Sequence, residues 1–371
     1  MTDASATILS PFAMKGVVLR NRLAVAPMTR VTAGADGLAT DTMRRYYARF
    51  AAGGFGLVIS EGLYTDQEHS QGYRNQPGLA DDAQARSWAP ITADAHAGGA
   101  RIFAQLMHAG ALSQENRFRS RSVAPSAVRP KGKQMGFYHG EGEYAGPLEL
   151  DQAGIDAVVA GFVDSAVRAV RVAGFDGVEI HAANGYLLDQ FLTAHTNRRN
   201  DRWGGDAAGR VALPVAVLKA VKAAVGAEVT VGIRISQGKV NDFTSKWAGR
   251  EADAQAIFGA LAQAGADFIH VTEFEAWLPA FEGGADSLAA LARRYAPAVP
   301  LIANGSLHEA GRAAEALAAG ADMVSLGRGA LANPDLPLLV ERDTGLRPFD
   351  PAILGPIADV KDSELALGAP A

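Results

Sequence analysis

A histidine, an asparagine and a tyrosine stand close together in the phrase HAANGYLLDQF, as His181, Asn184 and Tyr186. The first two carry N–H donors that can converge on one ligand oxygen. A tyrosine hydroxyl, with an ordinary pKa of ~10, is a neutral acid at pH 7. Two donors and an acid suit a reaction that builds negative charge on a carbonyl oxygen and then protonates carbon. The same triplet could serve an isomerase that abstracts a proton. Taken singly, such a histidine or tyrosine is more often structural.

Other side chains gain meaning from where they fall. Arg234 lies inside the apolar run VGIRIS, and a guanidinium cannot be buried there without compensation. It reads either as a barrel-interior ion pair with Glu61 or Glu179, or as a fixed positive charge beside a cofactor that gains negative charge on reduction. Gln105 places an amide, donor and acceptor together, at the end of another apolar run. Asn304-Gly305 and Gly327-Arg328 suit a phosphate group: glycine lets backbone N–H groups approach the anion, and arginine offers a forked donor. His108 reads as a packed histidine. No metal site is read from the sequence.

These residues need elements to position them. Short, continuous apolar runs recur at residues 23–28, 57–61, 102–107, 177–181, 229–235, 268–272, 300–303 and 323–326. Such runs fit strands buried on both faces. Longer segments of helical periodicity follow them, including 41–52, 81–97, 152–173, 207–225, 252–264, 287–295 and 307–319. The phrases AGFDGVEI, AGADFIHV and AGADMVSL each read as a helix end, a glycine stop and a strand. The expectation is a single (β/α)₈ barrel over residues 1–371, with the candidate site residues at or just past the C-terminal ends of strands, where barrel enzymes place their sites. An open doubly wound sheet is the alternative, but no G-x-G-x-x-G follows the first strand. Two connections exceed simple loops, residues 113–149 after the third strand and 237–249 after the fifth. They are expected to cap the site, although 131–146 could equally be a solvated insertion.

Composition narrows the function. A net charge of −5 gives no support to nucleic acid or an anionic membrane as partner, and no apolar stretch is long enough to span a bilayer. With no cysteine, disulfides, thiolate nucleophiles and Cys-ligated iron–sulfur clusters are excluded. The N-terminus lacks the pattern of a signal peptide. A cytoplasmic enzyme of small molecules, monomer or homodimer, is expected.

Taken together, the residues resemble the Old Yellow Enzyme family of FMN-dependent ene-reductases, from NRLAVAPMTR to LGRGALANPDLP, most specifically in GVEIHAANGYLLDQFLTAHTNRRNDRWGG. The resemblance implies non-covalent FMN, with NADPH or NADH as reductant. Pro27, Met28, Thr29, Gly62, Gln105 and Arg234 would line the flavin ring, and Asn304, Gly305, Gly327 and Arg328 would bind its phosphate. His181 and Asn184 would hold the carbonyl of an α,β-unsaturated substrate. Hydride would pass from the flavin to the β-carbon, and Tyr186 would protonate the α-carbon. Two departures stand out: Ala111 where the family often has arginine, and Gly329 where proline is common. The competing enzyme reading is a flavin-free, phosphate-binding barrel isomerase or aldolase. The competing non-enzyme reading is a barrel that serves only to bind.

Overall fold

The computed structural model describes residues 3–368. An N-terminal hairpin, β1 (Phe12–Met14) and β2 (Val17–Leu19), precedes the first barrel strand, β3 (Leu23–Val25). The barrel continues through β4 (Leu57–Tyr64) and β5 (Arg101–Met107). Two short strands, β6 (Val123–Ala124) and β7 (Leu148–Glu149), then pair only with each other. It resumes with β8 (Gly177–Asn184), β9 (Thr230–Lys239), β10 (Ile269–Thr272), β11 (Leu301–Asn304) and β12 (Met323–Leu326). All eight barrel pairings are parallel, and β12 closes on β3 through Ser325 and Ala24. The barrel is closed.

The sequence explains the alternation. Helix starts carry side-chain caps: Thr40 accepts from the Met43 N–H, Asp81 from Gln84, Asp151 from Gly154 and Asp206 from Gly209, each satisfying a donor that the first turn leaves free. The three AG phrases stop their helices as expected, with Gly174, Gly265 and Gly320 at φ of 81°, 79° and 110°, a region that favours glycine.

One end of the barrel is sealed and the other is open to chemistry. Met14, Val17 and Leu19 of the hairpin pack with Leu57, Phe103, Phe268, Ile302 and Met323, filling the N-terminal end of the barrel. Phe103 and Phe268 stack there at 5.7 Å. Polar residues therefore collect towards the C-terminal end.

The strands differ from the sequence reading mainly at their ends. β8 and β9 overrun to Asn184 and Lys239, because their polar ends are satisfied in place. Ser236 Oγ accepts from the Asn184 N–H, and Gln237 bonds the Ala280 carbonyl and the Trp247 N–H. β3 stops early, at Val25. The helix read as 152–173 ends in a π-helical turn, Ala169–Ala173.

Within residues 113–149 lie β6, β7 and a short 3₁₀ turn at Gly136–Tyr138, joined by irregular chain. The C-terminal segment folds back onto the barrel. There Glu364 is fully buried between Arg30 and Arg49, the Arg30 Nη2 contact being 2.6 Å. No helix among the described residues is long and apolar enough to cross a membrane.

Candidate active site

A cavity of about 330 Å³ opens at the C-terminal end of the barrel, within the range of small-molecule sites, roughly 300–1,000 Å³. Pro27, Met28 and Thr29 line it after β3, Gln105 from β5, and His181, Asn184 and Tyr186 from the end of β8. Arg234 enters from β9, Asn304 and Gly305 from β11, and Gly327 and Arg328 after β12. The residues singled out from the sequence thus meet in one place, with one exception. Gly62 does not line the cavity. It sits beside Gln105 in the β4–β5 register, and its carbonyl accepts from Gln76 Nε2 at 2.7 Å.

The turn after β8 is held from behind. Asn184 has φ of 61°, a left-handed conformation that few residues other than glycine tolerate and that asparagine adopts more readily. The Gly185 N–H donates to Asp189 Oδ2 at 2.6 Å, and Lys239 Nζ donates to Asp189 Oδ1 at 2.7 Å. This buried pair fixes the backbone between Asn184 and Tyr186. The Tyr186 hydroxyl lies 2.6 Å from that of Tyr73, and its ring meets the His181 ring edge-on at 4.9 Å.

The electrostatics fit proton delivery to an oxygen-polarised substrate. Burial pushes the His181 imidazole well below its usual 6.5, and nearby Arg234 and His270 add to this. His181 is therefore a neutral N–H donor at pH 7. Burial, and then the neighbouring Tyr138, raises the Tyr186 hydroxyl above the ordinary tyrosine range, so it keeps its proton. Arg234 is lowered by burial to about 10, with Glu179 acting against that shift. It stays a cation.

Neither ion pair considered for Arg234 forms. Glu61 instead accepts from the Arg30 N–H at 3.0 Å and faces Tyr47. Glu179 bonds Gln105 and His270. Arg234 Nη2 donates to Asn304 Oδ1 at 2.9 Å, while its Nε is buried with no partner among the described residues. The Nδ1 of His181 is likewise buried and unpartnered. Leaving a buried donor unsatisfied costs about 1–3 kcal/mol. Two cavity-lining side chains with orphaned nitrogens fit a polar ligand seated among them.

Not every residue expected at the phosphate has its side chain free for it. The Asn304 side chain is turned away from that role: its Oδ1 accepts from Arg234 and Thr272, and its Nδ2 donates to the Ser325 carbonyl. Gly305 is required for close approach, since a Cβ there would lie 2.4 Å from the Glu273 carbonyl oxygen. Arg328 is exposed, and among the described residues its guanidinium makes no hydrogen bond or ion pair. It rests over the Phe274 ring at 5.4 Å. A free guanidinium beside a glycine backbone fits a phosphate. His108 is a packed histidine, 1% exposed and 3.7 Å from Asp66.

Several lining residues were not read from the sequence. Glu273 and Phe274 follow β10, and the strand-end rule applied to the sixth strand would have found them. Tyr138 and Val240 come from the two long connections, and Leu354 from the C-terminal segment. Tyr73, against Tyr186, sits between β4 and the next helix and had no signal of its own.

Comparisons with known proteins identify the family. The sequence model of the NADH:flavin oxidoreductase / NADH oxidase family matches residues 7–346. The chain is 34% identical to the chanoclavine-I aldehyde reductase fgaOx3 of Penicillium roqueforti, over 93% of this chain and 92% of that one. It is 32% identical to a probable flavin mononucleotide-dependent alkene reductase of Leishmania infantum, covering 95% and 96%. Among solved structures, the old yellow enzyme homologue from Zymomonas mobilis superposes with a TM-score of 0.87 at 30% identity, covering 97% and 99%. Morphinone reductase in complex with tetrahydroNAD gives 0.82 at 32% identity, covering 94% and 93%. The chain belongs to this NADH:flavin oxidoreductase family, the Old Yellow Enzyme family, and is an NAD(P)H-dependent flavin oxidoreductase.

Proposed function

We propose that the protein is an FMN-dependent ene-reductase acting on α,β-unsaturated carbonyl compounds, with NADPH or NADH as reductant. The observation that carries this reading is the meeting of His181, Asn184 and Tyr186 with Arg234 in one cavity. Thr29, Gln105 and Arg234 would hold the flavin ring, and Arg328 with the Gly305 and Gly327 backbone its phosphate. Bound there, FMN supplies reversible hydride transfer between the nicotinamide and the β-carbon of the substrate.

The chain's own residues do the rest. His181 and Asn184 donate N–H groups to the substrate carbonyl oxygen, where negative charge grows as hydride arrives at the β-carbon. Donors already in place do not have to reorganise when that charge forms. Tyr186 gives its proton to the α-carbon. Its high pKa keeps the acid loaded, and the contact with Tyr73 keeps the hydroxyl aimed. Tyr138 and Val240, from the two long connections, cover the cavity and reduce its exposure to water.

The test begins with colour. Purified protein should be yellow, release FMN on denaturation, and oxidise NADPH or NADH when cyclohexenone is added. Replacing both His181 and Asn184 by alanine should cut enone turnover by at least ~10²–10³, the usual cost of one such donor, and weaken binding of phenolates that mimic the enolate. Colourless protein that cannot be reconstituted with FMN would overturn the reading. Phenolate affinity unchanged in the double variant would remove the carbonyl-binding role.

A further inference from the structure

Beneath the cavity lies a row of polar side chains that the reaction itself does not use. Glu179 of β8 is fully buried and lies outside the cavity lining. One carboxylate oxygen accepts from Gln105 Nε2 at 2.8 Å. The other lies 2.7 Å from His270 Nδ1, and His270 Nε2 lies 2.7 Å from Ser325 Oγ. His270 and Ser325 are also buried, at 0% and 1% exposure. Removing a carboxylate from water costs several kcal/mol even after relaxation, and apolar residues fill the barrel just below, around Phe103 and Phe268. A charged chain in this place calls for a reason other than packing.

We propose that Glu179 is a positioning residue for the cofactor: it sets which face of the Gln105 amide meets the cavity, and its charge offsets that of Arg234. This rests on reading the cavity as the FMN site. The amide orientation follows from donor chemistry. An ionised carboxylate only accepts, so the NH₂ of Gln105 must turn to Glu179. Among the described residues the Oε1 of Gln105 makes no hydrogen bond, and it is left as an acceptor for an N–H on the ligand. Glu179 remains ionised despite burial because His270, Arg234 and Gln105 together hold its carboxyl below the usual range.

The charge argument has a definite sign. Arg234 favours a reduced, anionic ring, and Glu179 opposes it from one layer deeper. The protein thus carries a cation with a built-in counterweight.

Two variants of the full-length holoprotein separate the effects. Glu179→Gln removes the charge and keeps an oxygen for Gln105. Anaerobic reduction of its bound FMN should show a midpoint potential more positive than wild type, with the FMN dissociation constant close to wild type. Glu179→Asp keeps the charge and withdraws the carboxylate from Gln105. It should bind FMN about 3–10-fold more weakly, the cost of one neutral hydrogen bond, with the potential little changed. A merely structural Glu179 would lower Tm in both variants and move neither quantity. A potential in Glu179→Gln that is unchanged or more negative overturns the charge role. Wild-type affinity in Glu179→Asp overturns the orienting role, and this arm stands even if Glu179→Gln does not fold. Wild-type protein that takes up no FMN would instead overturn the function proposed above, and its lack of colour distinguishes that case.

Discussion

The two halves of the cavity are built in opposite ways. At the end of β8, His181 and Tyr186 are 5% and 4% exposed, and a buried Lys239–Asp189 pair grips the backbone between Asn184 and Tyr186. At the ends of β11 and β12, Arg328 stands exposed and unbonded, and Gly305 and Gly327 present bare backbone. Under the proposed function, the contrast follows from what each half would do. Donors to a developing oxyanion, and an acid aimed at carbon, lose rate with small misplacement, so they must be fixed before the substrate arrives. A phosphate is already charged, and a long cationic side chain can close on it after contact. Rigidity is placed where geometry limits the rate, and adaptability where charge does the holding.

The largest effect should come from the fixed half. Tyr186→Phe removes only a hydroxyl, so FMN content and its reduction by NADPH or NADH should remain near wild type. Reoxidation by an enone should slow ~10²–10⁴-fold, as for loss of a positioned general acid, while a quinone, which needs no proton on carbon, should still reoxidise it quickly. Stopped-flow measurement of each half-reaction decides. Equal slowing of both would make Tyr186 part of the site's architecture only.

Next in size is the support behind that turn. Lys239→Met leaves Asp189 buried without its cation, and breaking such a pair costs about 3–5 kcal/mol. Urea denaturation should show that loss, and adding Asp189→Asn should recover much of it. A loss below about 1 kcal/mol would mean the turn is held by other contacts, and the contrast in rigidity would weaken.

The adaptable half should respond differently. Arg328→Ala should weaken FMN binding about 10–100-fold, the value of a charge-assisted hydrogen bond. The Tm of the cofactor-free protein should change little, because among the described residues Arg328 loses only its exposed contact with the Phe274 ring. Unaltered FMN affinity would assign the phosphate to other groups around the same loops.

The smallest effect concerns pH. Burial lowers the His108 pKa to about 4, with Asp66 acting against it, whereas an unfolded histidine titrates near 6.5. Between those values the unfolded chain binds the proton first, so stability present above pH ~6.5 is lost as pH falls towards 4. His108→Gln should flatten the pH dependence of the urea midpoint across that window. An unchanged slope would show that other groups, Asp66 among them, govern acid unfolding of this region.

How far the residues alone could be read depended on what kind of signal each left. The barrel came from local chemistry repeated many times: apolar runs buried on both faces, capped helix starts, and glycine stops at 174, 265 and 320. The site residues came from one topological rule, that barrel chemistry gathers at the C-terminal strand ends. The rule brought His181, Asn184, Tyr186, Gln105, Arg234 and Arg328 to one cavity without any knowledge of distance. It does not foresee that Gly62 lies outside the cavity lining, beside Gln105, or that the Asn304 side chain bonds Arg234, Thr272 and Ser325.

What the fold alone decided is everything that depends on contacts distant in sequence. That Arg234 pairs with neither Glu61 nor Glu179 is decided by the closed barrel, which brings Asn304, 70 residues away, within 2.9 Å. Tyr73 meets Tyr186 across 113 residues, and Glu179 meets His270 across 91. No periodicity or spacing encodes such pairings. They arise when a closed sheet forces side chains from different strands into the same layer, and that closure sets which buried charges can find partners.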